Sequence, residues 1–218
     1  MADQVQDNLL REIDEELRHE KYSKLWKRYG SYIIAVAVIV VGSVAGYQGW
    51  RGWDIKTRME QSDRFEAALE VLRSNDLEAA RNAFVELSDD AGAGYATLAR
   101  FHETAILAKN GDRVAAIEAY RQIADESSVT ADFRNLAIIL GAFLELEDGD
   151  PTQLSARIEP LTAAENPWRF SALEISALLA YRAGNTDKAR EVFKQLTDNA
   201  ATPQGIRGRA AEMLAVLG

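Results

Sequence analysis

Residues 32–50 contain no charged side chain, although charged residues stand close on both sides of them. Val, Ile, Ala and Gly make up most of this stretch. A helix that crosses the hydrocarbon core of a bilayer, which is ~30 Å thick, needs about 20 mostly apolar residues. The stretch therefore predicts a single transmembrane helix, and we place its bounds at residues 32–53 because aromatic residues continue to that point.

Aromatic residues mark both ends of this segment. Tyr32 stands at its start, and Tyr47, Trp50 and Trp53 cluster toward its end. Amphipathic rings favour the headgroup level, so we predict that these four residues are membrane-interface anchors. Two other interpretations stay open. Residues 43–45 (Ser-Val-Ala) resemble a signal-peptide cleavage site, although the preceding tail is longer and more acidic than the basic start of a signal peptide. An apolar run can also be a buried core helix, although this one has no polar face.

The segment divides the chain into three parts. Basic residues close to the segment are slightly more frequent on its N-terminal side, which favours a cytoplasmic N-terminus and a C-terminal domain outside the cytoplasm. In the tail, Leu9, Ile13 and Leu17 recur every four residues and predict an amphipathic helix. Such a helix lies on the membrane surface or docks against a partner. We therefore expect a cytoplasmic amphipathic tail at 1–31, a transmembrane helix at 32–53 and a separate domain at 54–218.

The composition excludes several function classes. The chain of 218 residues holds 34 Asp and Glu against 25 Lys and Arg, and its formal net charge is −9. A phosphate backbone repels such a chain, so we predict no nucleic-acid partner. Because the chain has no cysteine, disulfides, thiolate catalysis and cysteine metal sites are excluded.

The domain after the segment repeats a helical unit. The breaks Asn75-Asp76, Gly111-Asp112, Gly149-Asp150 and Gly184-Asn185 recur at intervals of about 36 residues. A period near 34 residues of helix–turn–helix units is the signature of tetratricopeptide-like repeats. We predict an all-α fold, in which the transmembrane helix is followed by a tetratricopeptide-like α-solenoid of about four degenerate helix-turn-helix repeats. After a first helix near 55–73, the predicted pairs are 77–88 with 94–109, 113–125 with 130–147, 151–163 with 167–183, and 186–198 with 203–217.

Three of the four breaks are followed by a small residue and then by a large ring at fixed spacing. The small residue lets two helices approach closely, and the large ring four positions later fills the gap between neighbouring units. Three units follow the pattern with Ala80 and Phe84, Ala116 and Tyr120, and Ala189 and Phe193. The unit at Gly149 departs from it, because Leu154 and Ile158 occupy these places. At the breaks, Gly or Asn tolerates the left-handed conformation that ends a helix.

One helix, at residues 136–144, is apolar on every face. It is too short to cross a membrane. It is therefore a central helix packed between repeats, or one of its sides lines a groove for an apolar polypeptide. In the register of the repeats, an inner face would carry large apolar residues on successive helices. The predicted partner-binding residues are Leu98, Phe101, Leu136, Ile139, Phe143, Leu178 and Tyr181, with Leu146 on the same face.

No pattern of catalytic or metal-ligating residues is present in the sequence. His102-Glu103 is interpreted as a solvated pair on a helix, because no second orienting group accompanies it. Asp89-Asp90 is expected in a turn and lacks the ligand series of a calcium loop. There is no glycine-rich phosphate loop and no nucleophile elbow. We therefore predict a protein that is not an enzyme and that needs no cofactor or metal.

The order of these parts resembles the ancillary Sec-translocon subunit family. The resemblance rests on EELR at residues 15–18, LWKRYG at 25–30, GYQGWRGW at 46–53 and the degenerate helical repeats that follow. It implies a single-pass protein of the bacterial inner membrane with a periplasmic repeat domain. The implied partners are the membrane, Sec translocon subunits, and periplasmic chaperones or client polypeptides, with homo-oligomerisation left open. The alternative is a scaffold for another envelope process, such as envelope assembly or division.

Overall fold

The computed structural model describes the backbone of residues 2–218 and the side chains of residues 23–24 and 26–218. Within that part of the chain, all regular elements are helices and no strand occurs, which confirms the predicted all-α class. The α-helices are α1 (Ala2–Arg73), α2 (Leu77–Asp90), α3 (Ala93–Lys109), α4 (Arg113–Asp125), α5 (Ala131–Glu145), α6 (Pro151–Ile158), α7 (Arg169–Arg182), α8 (Thr186–Asp198) and α9 (Gln204–Leu217). A short 3-10 helix, Glu159–Thr162, follows α6.

Contacts between Cα atoms divide the chain into two compact units, Met1–Met59 and Glu60–Gly218. The first unit consists of most of α1. The predicted apolar stripe of the tail, Leu9, Ile13 and Leu17, lies outside the residues whose side chains are described. The backbone of the tail is helical from Ala2 onward.

The apolar segment lies in α1. Over Trp26–Arg73, this helix is long and apolar enough to cross a membrane, and it is the only such helix among the described residues. Only 6% of its most apolar window is buried, so the interpretation as a buried core helix is wrong. The rings of Tyr32, Tyr47, Trp50 and Trp53 are all exposed. By length and composition, a membrane anchor and a signal sequence both remain compatible with the helix.

In the second unit, the predicted breaks end one helix and begin the next. Asn75, Gly111 and Gly184 have φ values of 64°, 88° and 78°, as expected for a left-handed residue after a helix. At Gly111 the backbone N–H groups of Gly111 and Asp112 donate to carbonyls in the last turns of α3, at 3.1 and 3.0 Å. The Asp112 side chain then accepts a hydrogen bond from the Ala115 N–H at 3.3 Å and caps α4.

Gly149 departs from this geometry. Helix α5 ends at Glu145, four residues before the glycine, whereas α3 and α7 end two residues before theirs. Gly149 is not among the glycines of positive φ. A Cβ atom there would lie 2.7 Å from the Glu145 carbonyl oxygen and 2.8 Å from Cδ1 of Leu154. Gly149 is therefore required by a close approach of chain segments, and a register counted from it does not transfer to α5.

The small and large residues of the repeat pattern lie in the core. The three alanines, Ala80, Ala116 and Ala189, are 0% exposed. The large residues are also buried: the rings of Phe84, Tyr120 and Phe193, and, in the unit that departs from the pattern, Leu154 and Ile158. The predicted burial of the small residues and of the large residues is confirmed. The core is a row of separate clusters along the array, as expected when each repeat contacts its neighbours.

Hydrogen bonds also connect one repeat to the next. The Lys109 Nζ atom donates to Oδ1 of Asn75 at 3.1 Å, joining the ends of α3 and α1. The indole N–H of Trp168 donates to the Asp132 carbonyl at 3.0 Å, joining the starts of α7 and α5. The guanidinium of Arg182 donates to backbone carbonyls at and beyond the end of α5. These bonds hold the ends of equivalent helices in neighbouring repeats against each other.

Candidate protein-binding surface

The predicted partner-binding residues lie on α3, α5 and α7, the helices that precede the repeat breaks. Helices α5 and α7 contact each other directly, and so do α7 and α9, although another helix intervenes in sequence in each case. Helix α3 meets α5 through the rings of Phe101 and Phe133, whose centroids lie 5.9 Å apart. Helices α3, α5 and α7 therefore form one layer of the array. The structure assigns the seven predicted residues to two groups, according to whether they pack into the core.

Four of the seven belong to core clusters. Ile139 is 3% exposed, so the structure places it in the core and not on an accessible surface. Phe143 is half-buried and packs against the same cluster, as does Leu146. The Phe101 ring lies 6.0 Å from Tyr120 and packs on the cluster of α4 and α5. The fourth, Leu178, packs on the cluster around α8.

The remaining three are Leu98 on α3, Leu136 on α5 and Tyr181 on α7, and we call them the inner-surface residues. Among the residues whose side chains are described, these three belong to none of the four core clusters. Leu98 and Leu136 are half-buried, and Tyr181 is 41% exposed. Each of the three helices thus contributes at least one large apolar or amphipathic side chain that belongs to no core cluster.

Two charged side chains in this layer form pairs with other elements of the array. Glu174 of α7 is 3% exposed and accepts two hydrogen bonds from Arg209 of α9, at 2.6 and 2.7 Å. This hydrogen bonding raises the pKa of the Arg209 guanidinium. Arg100 of α3 pairs with Glu126, whose pKa is lowered by the hydrogen bond from Ser128 and then by Arg100. These pairs connect elements of the array. None of them involves an inner-surface residue.

The sequence did not predict a groove of about 670 Å³ between α6, α7 and α8. Helix α6 has 8 residues, whereas α4 and α8 have 13 each. Pro151 opens α6, and Pro160 lies in the 3-10 helix that replaces its continuation. These two prolines were the available signal for a shortened helix. The groove walls are formed mainly by small side chains, including Ser155, Ala156, Ser176 and Ala180.

His102 is half-buried and its ring packs on other side chains. Its ring stacks on Phe84 with centroids 4.8 Å apart and an angle of 12°, and burial lowers its pKa. The expectation of a solvated His102-Glu103 pair is therefore wrong for His102. Asp89 and Asp90 lie in the last turn of α2 and not in a turn between helices. No cluster of three or more His, Cys, Asp or Glu side chains that could hold a metal occurs among the described residues.

Antiparallel helix pairs with these caps, small crossing residues and buried rings define an all-helical repeat protein. The family model described as "Tetratricopeptide repeat-like domain" matches residues 23–213. The chain therefore belongs to the family of tetratricopeptide repeat-like domains. No curated protein and no solved structure matches it significantly. Repeat domains of this kind serve as scaffolds for protein–protein interaction and are typically non-catalytic.

Proposed function

We propose that this protein is a membrane-anchored interaction scaffold that assists the Sec translocon and periplasmic chaperones during export and folding of envelope proteins. In this proposal residues 1–31 are the cytoplasmic tail, 32–53 cross the inner membrane and 54–218 form the periplasmic domain. The inner-surface residues contact the partner or client polypeptide. The observation that carries the scaffold function is the layer of α3, α5 and α7, in which each helix presents at least one large side chain that belongs to no core cluster.

Two features of α1 support a membrane anchor. The side chains of residues 32–53 are exposed, which favours a membrane-spanning helix over a core helix. The family match begins at residue 23, before the apolar segment, so the segment belongs to the matched domain. A cleaved leader would instead precede the domain. The order of tail, aromatic-ended helix and degenerate repeats supports the Sec translocon as the site of action.

A topology experiment tests the membrane part of the proposal. The full-length protein should stay with the membrane during carbonate extraction, and protease added to spheroplasts should digest residues 54–218. A domain that survives until the inner membrane is broken would reverse the proposed orientation. Release of a shortened soluble protein would show that the segment is a cleaved leader.

A crosslinking experiment tests the partner. A photo-reactive amino acid is placed in turn at Leu98, Leu136 and Tyr181, and crosslinked products from intact membranes are identified by mass spectrometry. Val114 on α4 is the matched control, because it is apolar and 80% exposed but lies outside this layer. Sec subunits or periplasmic chaperones enriched over the control would support the proposal. Envelope-assembly or division proteins would favour the alternative scaffold, and products equal to the control would exclude this surface.

A further inference from the structure

Four aromatic rings meet where the last turns of α1 pack on α2 and α3, inside the unit Glu60–Gly218. Phe65 of α1 is at the centre, with its ring centroid 5.7 Å from Phe84, 5.8 Å from Tyr95 and 5.4 Å from His102. His102 also stacks face to face on Phe84, which is 0% exposed. The imidazole is thus one of the surfaces that hold α1 against the first helix pair. We call these four rings the ring joint.

The ring joint offers His102 no polar partner. Among the residues whose side chains are described, none forms a hydrogen bond with the imidazole. The surrounding cluster is apolar and includes Ala68, Leu87, Ala99 and Ile106, all of which are buried. Burial is the single cause that lowers the pKa of this histidine.

On α2 and α3, one charged pair lies beside the ring joint. Residues three or four positions apart share a helix face, and Arg81 is the charged residue at this distance from Phe84. Arg81 lies 3.5 Å from Glu103 and is already neutralised by it. The positions that share a face with His102 on α3 are uncharged: Leu98, Ala99, Ala105 and Ile106.

On α1 the surroundings are similar. The positions that share a face with Phe65 are uncharged: Gln61, Ser62, Ala68 and Leu69. Arg64, next to Phe65, pairs with Asp90 at 3.1 Å and lies 3.8 Å from Glu86. The phenol of Tyr95 is the remaining titratable group in the rings. A proton on His102 would therefore create a cation with no carboxylate free to neutralise it.

We propose that the ring joint is an acid-sensitive contact, in which protonation of His102 loosens residues 60–73 of α1 from α2 and α3 while the later repeats stay folded. The charged imidazole is partly desolvated in the joint, where His102 is half-buried, but is fully hydrated when α1 separates. A protonated imidazole is also attracted to the face of the Phe84 ring, which would stabilise the docked form. For the joint to loosen, the cost of burying the charge must exceed this attraction. The repeats behind α3 are affected little, because each repeat contacts only its neighbours. This proposal does not depend on the identity of the partner.

The sign of the pH dependence follows from the direction of the pKa shift. The pKa of an unfolded histidine is ~6.5, and burial in the joint holds the pKa of His102 below that value. Between these two pH values the separated form binds more protons than the docked form, so the docked form loses stability as pH falls. The contribution of His102 is fully present above pH ~6.5 and is lost progressively below it.

The first measurement is a titration of the full chain in detergent micelles by NMR of labelled histidine. The chain has two histidines, His19 and His102, so the variants His19→Phe and His102→Phe assign both signals. We expect His102 to titrate below pH ~6.5. A titration at or above that value would overturn the proposal, even if the variant His102→Phe failed to fold.

The second measurement is hydrogen exchange of residues 60–73 at pH 7.5 and pH 5.0, corrected for the intrinsic rate. Wild-type protection should fall on acidification, by up to tenfold for each unit by which the pKa of His102 is depressed. The variant His102→Phe keeps a stacked ring without a titrating group and should lose this dependence, whereas His19→Phe should keep it. An equal fall in the wild type and in His102→Phe, or in His102→Gln if the first variant is unfolded, would show that carboxylates cause the effect.

Discussion

Replacing Gly149 with alanine tests whether this glycine is required by close packing and not by its backbone dihedral angles. A Cβ atom would lie 2.7 Å from the Glu145 carbonyl oxygen, 3.0 Å from the Glu145 Cβ and 2.8 Å from Cδ1 of Leu154. The carbonyl oxygen cannot move freely, because it accepts the Gly149 N–H at 2.8 Å. Leu154 cannot move freely either, because it is 0% exposed within the cluster of α5, α6 and α7.

The magnitude follows from these contacts. In an unstrained position, Gly→Ala stabilises a protein by about 0.4–1 kcal/mol, because it restricts the unfolded chain. An extra methyl group in a tightly packed core instead costs about 1–3 kcal/mol. Two contacts below 3.0 Å place Gly149 in the second class. We therefore expect Gly149→Ala to destabilise the junction of α5 and α6 by about 1–3 kcal/mol.

Hydrogen exchange over residues 136–158 is the suitable assay, because repeats open locally. A loss of 1–3 kcal/mol corresponds to exchange that is roughly 5- to 150-fold faster. Gly208→Ala on α9 is the matched control, since no atom lies within 4 Å of its added Cβ. This control should slow exchange or leave it unchanged. Unchanged or slower exchange in Gly149→Ala would refute the close-approach explanation.

Two further predictions concern the core of the repeats. Phe84→Ala and Phe193→Ala should each lower the free energy of unfolding by about 3–5 kcal/mol, because these rings are 0% and 1% exposed, whereas Val114→Ala should change it by less than about 0.5 kcal/mol. Urea denaturation measures all three, and losses below about 1 kcal/mol at both rings would contradict the repeat register. Arg209→Ala should cost about 1–3 kcal/mol, and more than Glu174→Ala, because it leaves a carboxylate that is 3% exposed without its partner, while the arginine, whose side chain is 56% exposed, can be hydrated. Equal losses for the two variants would show that the pair acts through packing alone.

The repeat positions could be predicted from the sequence because they depend on contacts inside one helix pair. Ala116 and Tyr120, for example, are four positions apart and share one face of α4. A small residue where two helices cross and a ring one turn later are buried in any pair of this geometry. The same local logic holds for Gly111 and Gly184, whose φ values follow from the need to reverse the chain after a helix.

The irregular third pair could not be predicted in the same way. A glycine can be required by a left-handed backbone or by a close approach of another chain segment. The sequence alone does not distinguish these two reasons. At Gly149 the reason is the close approach, and one of the atoms that approach, Cδ1 of Leu154, belongs to the next helix. The shortened α6 and the groove beside it follow from packing between pairs, which no pattern within one pair determines.

The division of the predicted partner-binding residues into core and surface has the same physical cause. Helix α5 contacts α4, α6 and α7, and a helix that is covered on several sides is apolar all round. Residues 136–144 of α5 therefore contain no polar face from which to identify the exposed side. Ile139 faces the cluster shared with α6 and α7, whereas Leu136 belongs to no cluster, although both are large aliphatic residues three positions apart. On α7, by contrast, Tyr181 is followed by the exposed Arg182 near the helix end, and this polar context is what a sequence can reveal about exposure.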